Sequence, residues 1–151
     1  MTDPRHSFPR AVATLTLLIL AGCDAGPKAI RYGQDECAEC RMTLVDRHYG
    51  VELITKKGKV FKFDDLTCLL TFQRRDPGRS GSAAQLVVID FNRPNTFLGA
   101  AQAVFLYHNQ LHTPMGSGLA AFANATELEA ARGLLGGGGR ILRWPEVLAT
   151  P

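Results

Sequence analysis

The sequence predicts an α+β fold made of two similar ββαβ units with antiparallel sheets. The chain of 151 residues has the length of one domain or two small ones, 46% of it is hydrophobic, and one order of strand and helix patterns occurs twice. The net charge is only +3, and charged residues make up 21% of the chain. These values are typical of a globular domain. Nucleic-acid binders are usually strongly basic, so the small net charge argues against that class of protein.

The first unit is expected between residues 35 and 95. Its predicted elements are strands at Val51–Thr55 and Val60–Phe63, a helix from Leu66 to about Arg75, and a buried strand at Leu86–Ile89. The Lys57-Gly58 pair between the first two strands is a hairpin turn signal. Asp64-Asp65 precedes the helix and offers a cap, and Asp76-Pro77-Gly78 ends it.

The second unit is expected between residues 96 and 151. Its predicted elements are strands at Ala103–Tyr107 and Leu119–Phe122, a helix capped by Asn124 or Thr126 that runs to about Leu135, and a strand at Ile141–Trp144. Thr126 and Glu129 have the spacing of a capping box. The glycines at 136–139 interrupt the chain before the last strand, and Pro145 ends that strand.

The N-terminus resembles a bacterial lipoprotein signal. Arg5 and Arg10 precede an apolar run over residues 11–21, which is too short to span a membrane. Leu20-Ala21-Gly22-Cys23 resembles a lipobox, which implies cleavage after residue 22 and lipid attachment at Cys23. We therefore expect a signal peptide at 1–22, a lipidated tether at 23–34, and a membrane lipoprotein that faces the periplasm or the cell exterior.

A Cys-x-x-Cys pair, Cys37 and Cys40, stands at the start of the expected folded region. A disulfide within so short a loop would constrain little of the unfolded chain. A thioredoxin-type pair would need a preceding strand and a following helix, and a zinc site would need further ligands. Those further zinc ligands would be His48, His108 or His112. Cys68 lies among leucines in the predicted helix, so we expect it to be a small buried hydrophobic residue.

Soft copper(I) is a further candidate for this segment, because thiolate and thioether sulfurs select it. Met42 follows Cys40 by two positions, which in an extended chain puts both side chains on one face. Met115 lies in the Pro- and Gly-containing loop Thr113–Gly118, outside any apolar stripe. His48, in a polar turn, is a possible additional ligand. The predicted metal ligands are thus Cys37, Cys40, Met42, Met115 and His48.

Several segments together resemble the NosL family of accessory lipoproteins of nitrous-oxide reductase. They are the lipobox ending at Cys23, Cys37-x-x-Cys40-x-Met42, Asp46-x-x-Tyr49-Gly50-Val51-Glu52-Leu53, Gly58-Lys59-x-x-x-Phe63-Asp64-Asp65, Thr113-Pro114-Met115-Gly116 and Ala121-Phe122. The likeness extends from about Cys37 to Leu148. The resemblance implies two ββαβ units, Cu(I) as the bound metal, and ligands at Cys40 and at Met42 or Met115. Many members carry one cysteine at this place, so the resemblance assigns no role to Cys37.

The resemblance also implies a function, which is copper delivery to the nitrous-oxide reductase apoprotein outside the cytoplasmic membrane. No Ser-His-Asp set, phosphate loop or paired carboxylate site stands out, so the sequence predicts that the protein is not an enzyme. Two alternatives belong to other classes. One is a membrane-tethered thiol oxidoreductase that acts through Cys37 and Cys40, and the other is a zinc-binding structural lipoprotein.

Overall fold

The computed structural model describes residues 26–150, in which eleven elements follow one another from Val51 onward. They are β1 (Val51–Thr55), β2 (Val60–Phe63), α1 (Leu66–Arg75), α2 (Pro77–Ser80), β3 (Ala83–Asp90), β4 (Arg93–Gly99), β5 (Val104–Tyr107), β6 (Leu119–Phe122), α3 (Ala125–Leu134), β7 (Arg140–Leu142) and α4 (Trp144–Leu148). The predicted signal peptide and Cys23 lie outside the described residues. Within those residues, every helix is too short or too polar to cross a bilayer.

The strands form a single mixed sheet with the order β2-β1-β3-β6-β5-β7, and β4 pairs with β3 outside this path. The prediction of antiparallel sheets alone is therefore wrong at one place. Strands β3 and β6 are parallel, with Asp90 opposite Ala121, and the Phe91 N–H donates to the Ala121 carbonyl at 2.9 Å. This contact is between strands from the two halves of the chain, and it joins them into one sheet.

Two helices cover opposite faces of the sheet. Neighbouring residues of β5 point to different cores, as expected for a strand buried on both faces: Phe105 packs with Phe63 and α1, whereas Leu106 packs with Leu128 of α3. Asp65 is the N-cap of α1 and accepts from the N–H groups of Thr67 and Cys68 at 2.9 and 3.3 Å. The Cys68 side chain therefore begins in the first turn of a buried helix.

Three elements were not predicted, and each begins at or near a proline. One is α2, which begins at Pro77, where the sequence predicts only the end of the preceding helix. Pro94 and Asn95 indicate a turn in the sequence, yet they lie in β4, an outer strand that tolerates a proline. Trp144 was expected to end a strand at Pro145. Instead β7 ends at Leu142, and Pro145 stands in the first turn of α4, where its missing N–H costs nothing.

The segment before β1 is packed against the sheet from Lys28 onward. The Lys28 N–H donates to the buried carboxylate of Glu52 at 3.0 Å, and Ile30 is in the core. The Lys62 ammonium donates to the Ala29 carbonyl at 2.8 Å and to Asp35 at 2.6 Å. The division into a tether and two units stays a prediction, but residues 28–34 contact the fold that they were expected to precede.

Candidate metal centre

The loop from Glu36 to Thr43 presents the Cys-x-x-Cys pair. Glu36 and Thr43 face each other in an antiparallel bridge. Inside it, the Cys37 N–H donates to the Met42 carbonyl at 2.8 Å, and the Arg41 N–H donates to the Cys37 carbonyl at 3.1 Å. This closed turn holds the backbone on both sides of Cys40.

Two further contacts attach this loop to the fold. The Ala38 N–H donates to the Lys62 carbonyl of β2 at 2.8 Å, and Glu39 forms an ion pair with Arg75 at the end of α1 at 2.8 Å. The loop is therefore held against the same helix that carries Cys68.

The conformation of this loop corrects one step of the sequence argument. Cys40 and Met42 were expected on one face of an extended chain. Arg41 between them has a φ of 66°, which is left-handed and uncommon for a residue other than glycine. The alternation of an extended strand therefore does not relate the two side chains. The Met42 side chain is 47% exposed, in contrast to the buried Cys37.

Three cysteines meet at this loop. One ligand atom of each of Cys37, Cys40 and Cys68 lies within 4.8 Å of those of the other two. That separation is about twice a metal–sulfur bond of about 2.3 Å, so small side-chain movements would let all three sulfurs contact one ion. All three are free thiols; Cys37 and Cys68 are buried and Cys40 is half-buried. Within residues 26–150, no fourth cysteine, histidine or carboxylate belongs to the group.

Hydrogen bonds set different proton affinities within the group. The Cys68 thiol donates to the sulfur of Cys37, and with backbone N–H groups of Cys40, Asp64 and Glu39 it lowers the pKa of Cys37 to about 5 against the opposing effect of burial. Donation to Cys37, together with burial, raises the pKa of Cys68. Burial also raises the pKa of Cys40. Cys37 therefore has the lowest pKa of the three thiols and is the first of them to lose its proton.

The buried carboxyl of Asp64 lies beside Cys37. Burial and the charge of Cys37 raise the pKa of Asp64 to about 6. Its Oδ1 atom is buried without a hydrogen-bond partner among the described residues. Two neighbouring acidic groups with an unpartnered oxygen make this site electronegative, which favours a bound cation.

Met115 approaches α1 from the second half of the chain. Its N–H donates to the Oδ2 atom of Asp65 at 3.0 Å, and its side chain is 36% exposed. The predicted loop at 113–118 is closed by Thr113, whose hydroxyl accepts from Ser117 Oγ at 3.0 Å and from the Gly118 N–H at 3.2 Å. The loop with Met115 and the helix with Cys68 are therefore connected at one capping residue.

The histidines considered from the sequence are placed elsewhere. The His48 Nδ1 atom lies 2.9 Å from Asp46 Oδ1, and His48 is outside the cysteine group. His108 is buried and uses both ring nitrogens: Nε2 lies 2.9 Å from the Gly137 carbonyl, and Nδ1 accepts from the Gln110 N–H at 3.2 Å. His112 is exposed and is likewise outside the group. The ligands that a four-coordinate zinc site would have recruited are not assembled here.

Cys68 was predicted to be a core residue, and the structure makes it part of the candidate metal site. It is buried, as expected, and it also faces Cys37 and Cys40. The available signal was the odd number of cysteines left after Cys23. An unpaired buried cysteine on a helix whose N-cap directly follows a predicted strand is a candidate third ligand.

The fold and the site define a small mixed α/β protein with a three-cysteine group able to hold a soft metal ion. The sequence model of the NosL family matches residues 29–150, so the chain belongs to the NosL family. The crystal structure of the copper chaperone NosL from Shewanella denitrificans is similar, with a TM-score of 0.68 and 26% identity over 81% of this chain and 95% of that one. None of the curated proteins matches the chain.

Proposed function

We propose that this protein is a Cu(I) chaperone that binds the ion through the thiolates of Cys37, Cys40 and Cys68. The observation that carries the proposal is the mutual approach of the three ligand atoms to within 4.8 Å. Soft sulfur ligands select Cu(I), whereas structural zinc sites almost always have four ligands. The similarity to a solved copper chaperone supports the same cargo.

The two exposed methionines are the proposed transfer ligands. Met42 follows the cysteine turn directly, and Met115 is held at the N-cap of the Cys68 helix. A thioether binds Cu(I) without losing a proton. The thiolates would therefore store the ion in the protein, and a surface methionine would bind it briefly during transfer. His48 is proposed only as an occasional outer ligand, because its ring contacts Asp46.

The proposed recipient is the nitrous-oxide reductase apoprotein, and the protein itself is not an enzyme. Membership of the NosL family and the predicted lipobox support this proposal. Lipid at Cys23 would anchor the chain to a membrane on its periplasmic or outer side. The Lys28 N–H contacts the buried Glu52, so the lipid would be attached five residues before a residue that contacts the fold.

Anaerobic titration tests the metal assignment. We expect one Cu(I) per chain, three sulfur ligands by X-ray absorption, and much weaker Zn(II) binding. Replacing Cys68 with Ala should lower Cu(I) affinity by more than about tenfold, because even groups outside the ligand shell are worth that much. Val45→Ala, an exposed apolar change near the same loop, is the control.

The remaining outcomes separate the alternatives. Cu(I) affinity that is unchanged in Cys68→Ala would contradict the three-thiolate site. Unfolding on chelation of a tightly bound Zn(II) would instead identify a zinc-stabilised protein. Repeated thiol–disulfide exchange through Cys37 and Cys40, unaffected by loss of either methionine, would identify an oxidoreductase.

A further inference from the structure

A pocket lies beside the candidate metal centre, between α1 and the second half of the sheet. Its volume is about 360 Å³. Thr67, next to Cys68, lines one wall, and Gly116, next to Met115, lines another. The hydrogen bond from Met115 to Asp65 connects these two walls. Any protein that approaches the exposed Met115 would therefore also meet this pocket.

The pocket combines two cations with an apolar floor. Arg74 and Arg140 line it, and no acidic residue does. Arg74 donates through Nε to the Leu70 carbonyl at 3.3 Å, and within residues 26–150 neither guanidinium has a carboxylate partner. The floor is formed by the buried side chains of Leu70, Leu119 and Leu142.

This lining fits a ligand that carries a carboxylate next to an apolar group. Arginine recognises carboxylates by paired hydrogen bonds, and a partner's anion would neutralise charges that the fold leaves uncompensated. A small hydrated anion would leave the 43% exposed Tyr107 in water, whereas an acidic and apolar peptide segment would cover it.

We infer that this pocket docks an acidic, apolar segment of the protein that receives the copper. The inference rests on the proposed function for the existence of such a recipient. The arginines would steer the recipient and set its register, so that its metal-binding groups come to Met115. The thiolates would bind Cu(I), and the pocket would select the protein that receives the ion.

A peptide probe tests the pocket without copper. The full-length protein in detergent micelles is titrated with acetyl-Leu-Glu-Phe-Glu-Leu-amide and followed by the backbone amide signals of Thr67, Gly116 and Ser117. We expect saturable shifts that weaken with salt. The same peptide with glutamine in place of glutamate should bind at least about tenfold more weakly. Acetate alone should give no comparable saturation.

Charge reversal identifies the residues responsible. The double variant Arg74→Glu/Arg140→Glu should lose the shifts, whereas Lys56→Glu/Lys57→Glu, with the same change in net charge at the exposed β1–β2 turn, should keep them. An absence of saturable shifts in the wild type, equal binding by the Arg74→Glu/Arg140→Glu variant, or acetate binding as strong as the peptide's would each overturn the inference.

A transfer assay distinguishes this result from the fate of the proposed function. Cu(I) transfer to apo nitrous-oxide reductase should slow by about tenfold in the arginine double variant, while transfer to uncharged dithiothreitol stays unchanged. Peptide binding without Cu(I) binding would remove the chaperone function and keep the pocket. Cu(I) binding without peptide binding would do the reverse.

Discussion

The N–H of Met115 donates to the carboxylate of Asp65 at 3.0 Å, across 50 residues of chain. The other oxygen of the same carboxylate caps α1 at Thr67 and Cys68. One side chain thus begins the helix of a buried cysteine and positions the loop of an exposed methionine. The proposed storage and transfer ligands share this support.

The first prediction concerns Asp65. Replacing it with Ala should lower the free energy of unfolding by about 1–2 kcal/mol, since an N-cap is lost. It should also speed the release of Cu(I) to a chelator, because the Met115 loop loses its attachment. Urea unfolding and chelator-exchange rates are the measurements.

Asn124→Ala is the matched control. It removes the corresponding N-cap from α3, on the other face of the sheet. It should destabilise the protein similarly and leave Cu(I) release unchanged. Equal release rates in both variants would show that the Asp65–Met115 contact has no part in holding the ion.

The methionines provide the second prediction. Met42→Leu and Met115→Leu keep the volume of exposed side chains, so the free energy of unfolding should change by less than about 1.5 kcal/mol. Cu(I) transfer should weaken, because leucine offers no sulfur. Val45→Leu, at another exposed apolar position, should change neither property. A lower melting temperature with unchanged copper transfer would mean that the methionines only pack.

Buried Glu52 provides a pH-dependent prediction. Burial raises the pKa of Glu52 to about 7 from its ordinary 4.5, although the Lys28 N–H and Lys62 favour its charged form. Between pH 4.5 and about pH 7, Glu52 is therefore protonated in the folded protein and ionised in the unfolded chain. The Glu52 contribution to stability is full below about 4.5 and decreases as the pH rises through about 7.

Glu52→Gln should remove this contribution to the pH dependence. The free energy of unfolding is measured with urea at pH 5 and pH 8. The decrease between these two pH values should be smaller in the variant than in the wild type, by at most about 3 kcal/mol. Glu129→Gln, an exposed change on α3, should retain the wild-type dependence. An unaltered pH profile in Glu52→Gln would mean that Glu52 stays ionised in the folded protein.

The membrane anchor is a separate prediction from the lipobox. Cys23→Ala should leave the precursor uncleaved or release the protein from the membrane fraction, because no acyl chain can be attached. Cys40→Ser, a cysteine change away from the lipobox, should fractionate like the wild type. Membrane fractionation and mass spectrometry of the N-terminus give the answer, and normal processing of Cys23→Ala would contradict the anchor.

The sequence by itself determined the elements that depend on near neighbours. The β1–β2 hairpin and the α1 bounds follow from Gly58, from the cap at Asp65 and from the stop at Asp76, all within a few residues of the positions that they control. The Cys-x-x-Cys segment was recognisable for the same reason. Antiparallel pairing was only partly predictable, because the parallel contact of β3 with β6 joins residues 31 positions apart.

Only the tertiary structure decided what Cys68 and His108 do. A cysteine that fills a core and a cysteine that faces two others have the same leucine neighbours in the sequence, and packing alone distinguishes them. The ring nitrogens of His108 are occupied because Gly137, far along the chain, lies against it. Hydrophobic periodicity in the sequence specifies which face of an element is buried. It does not specify which side chains meet at a site, because these come from segments that are distant in the sequence.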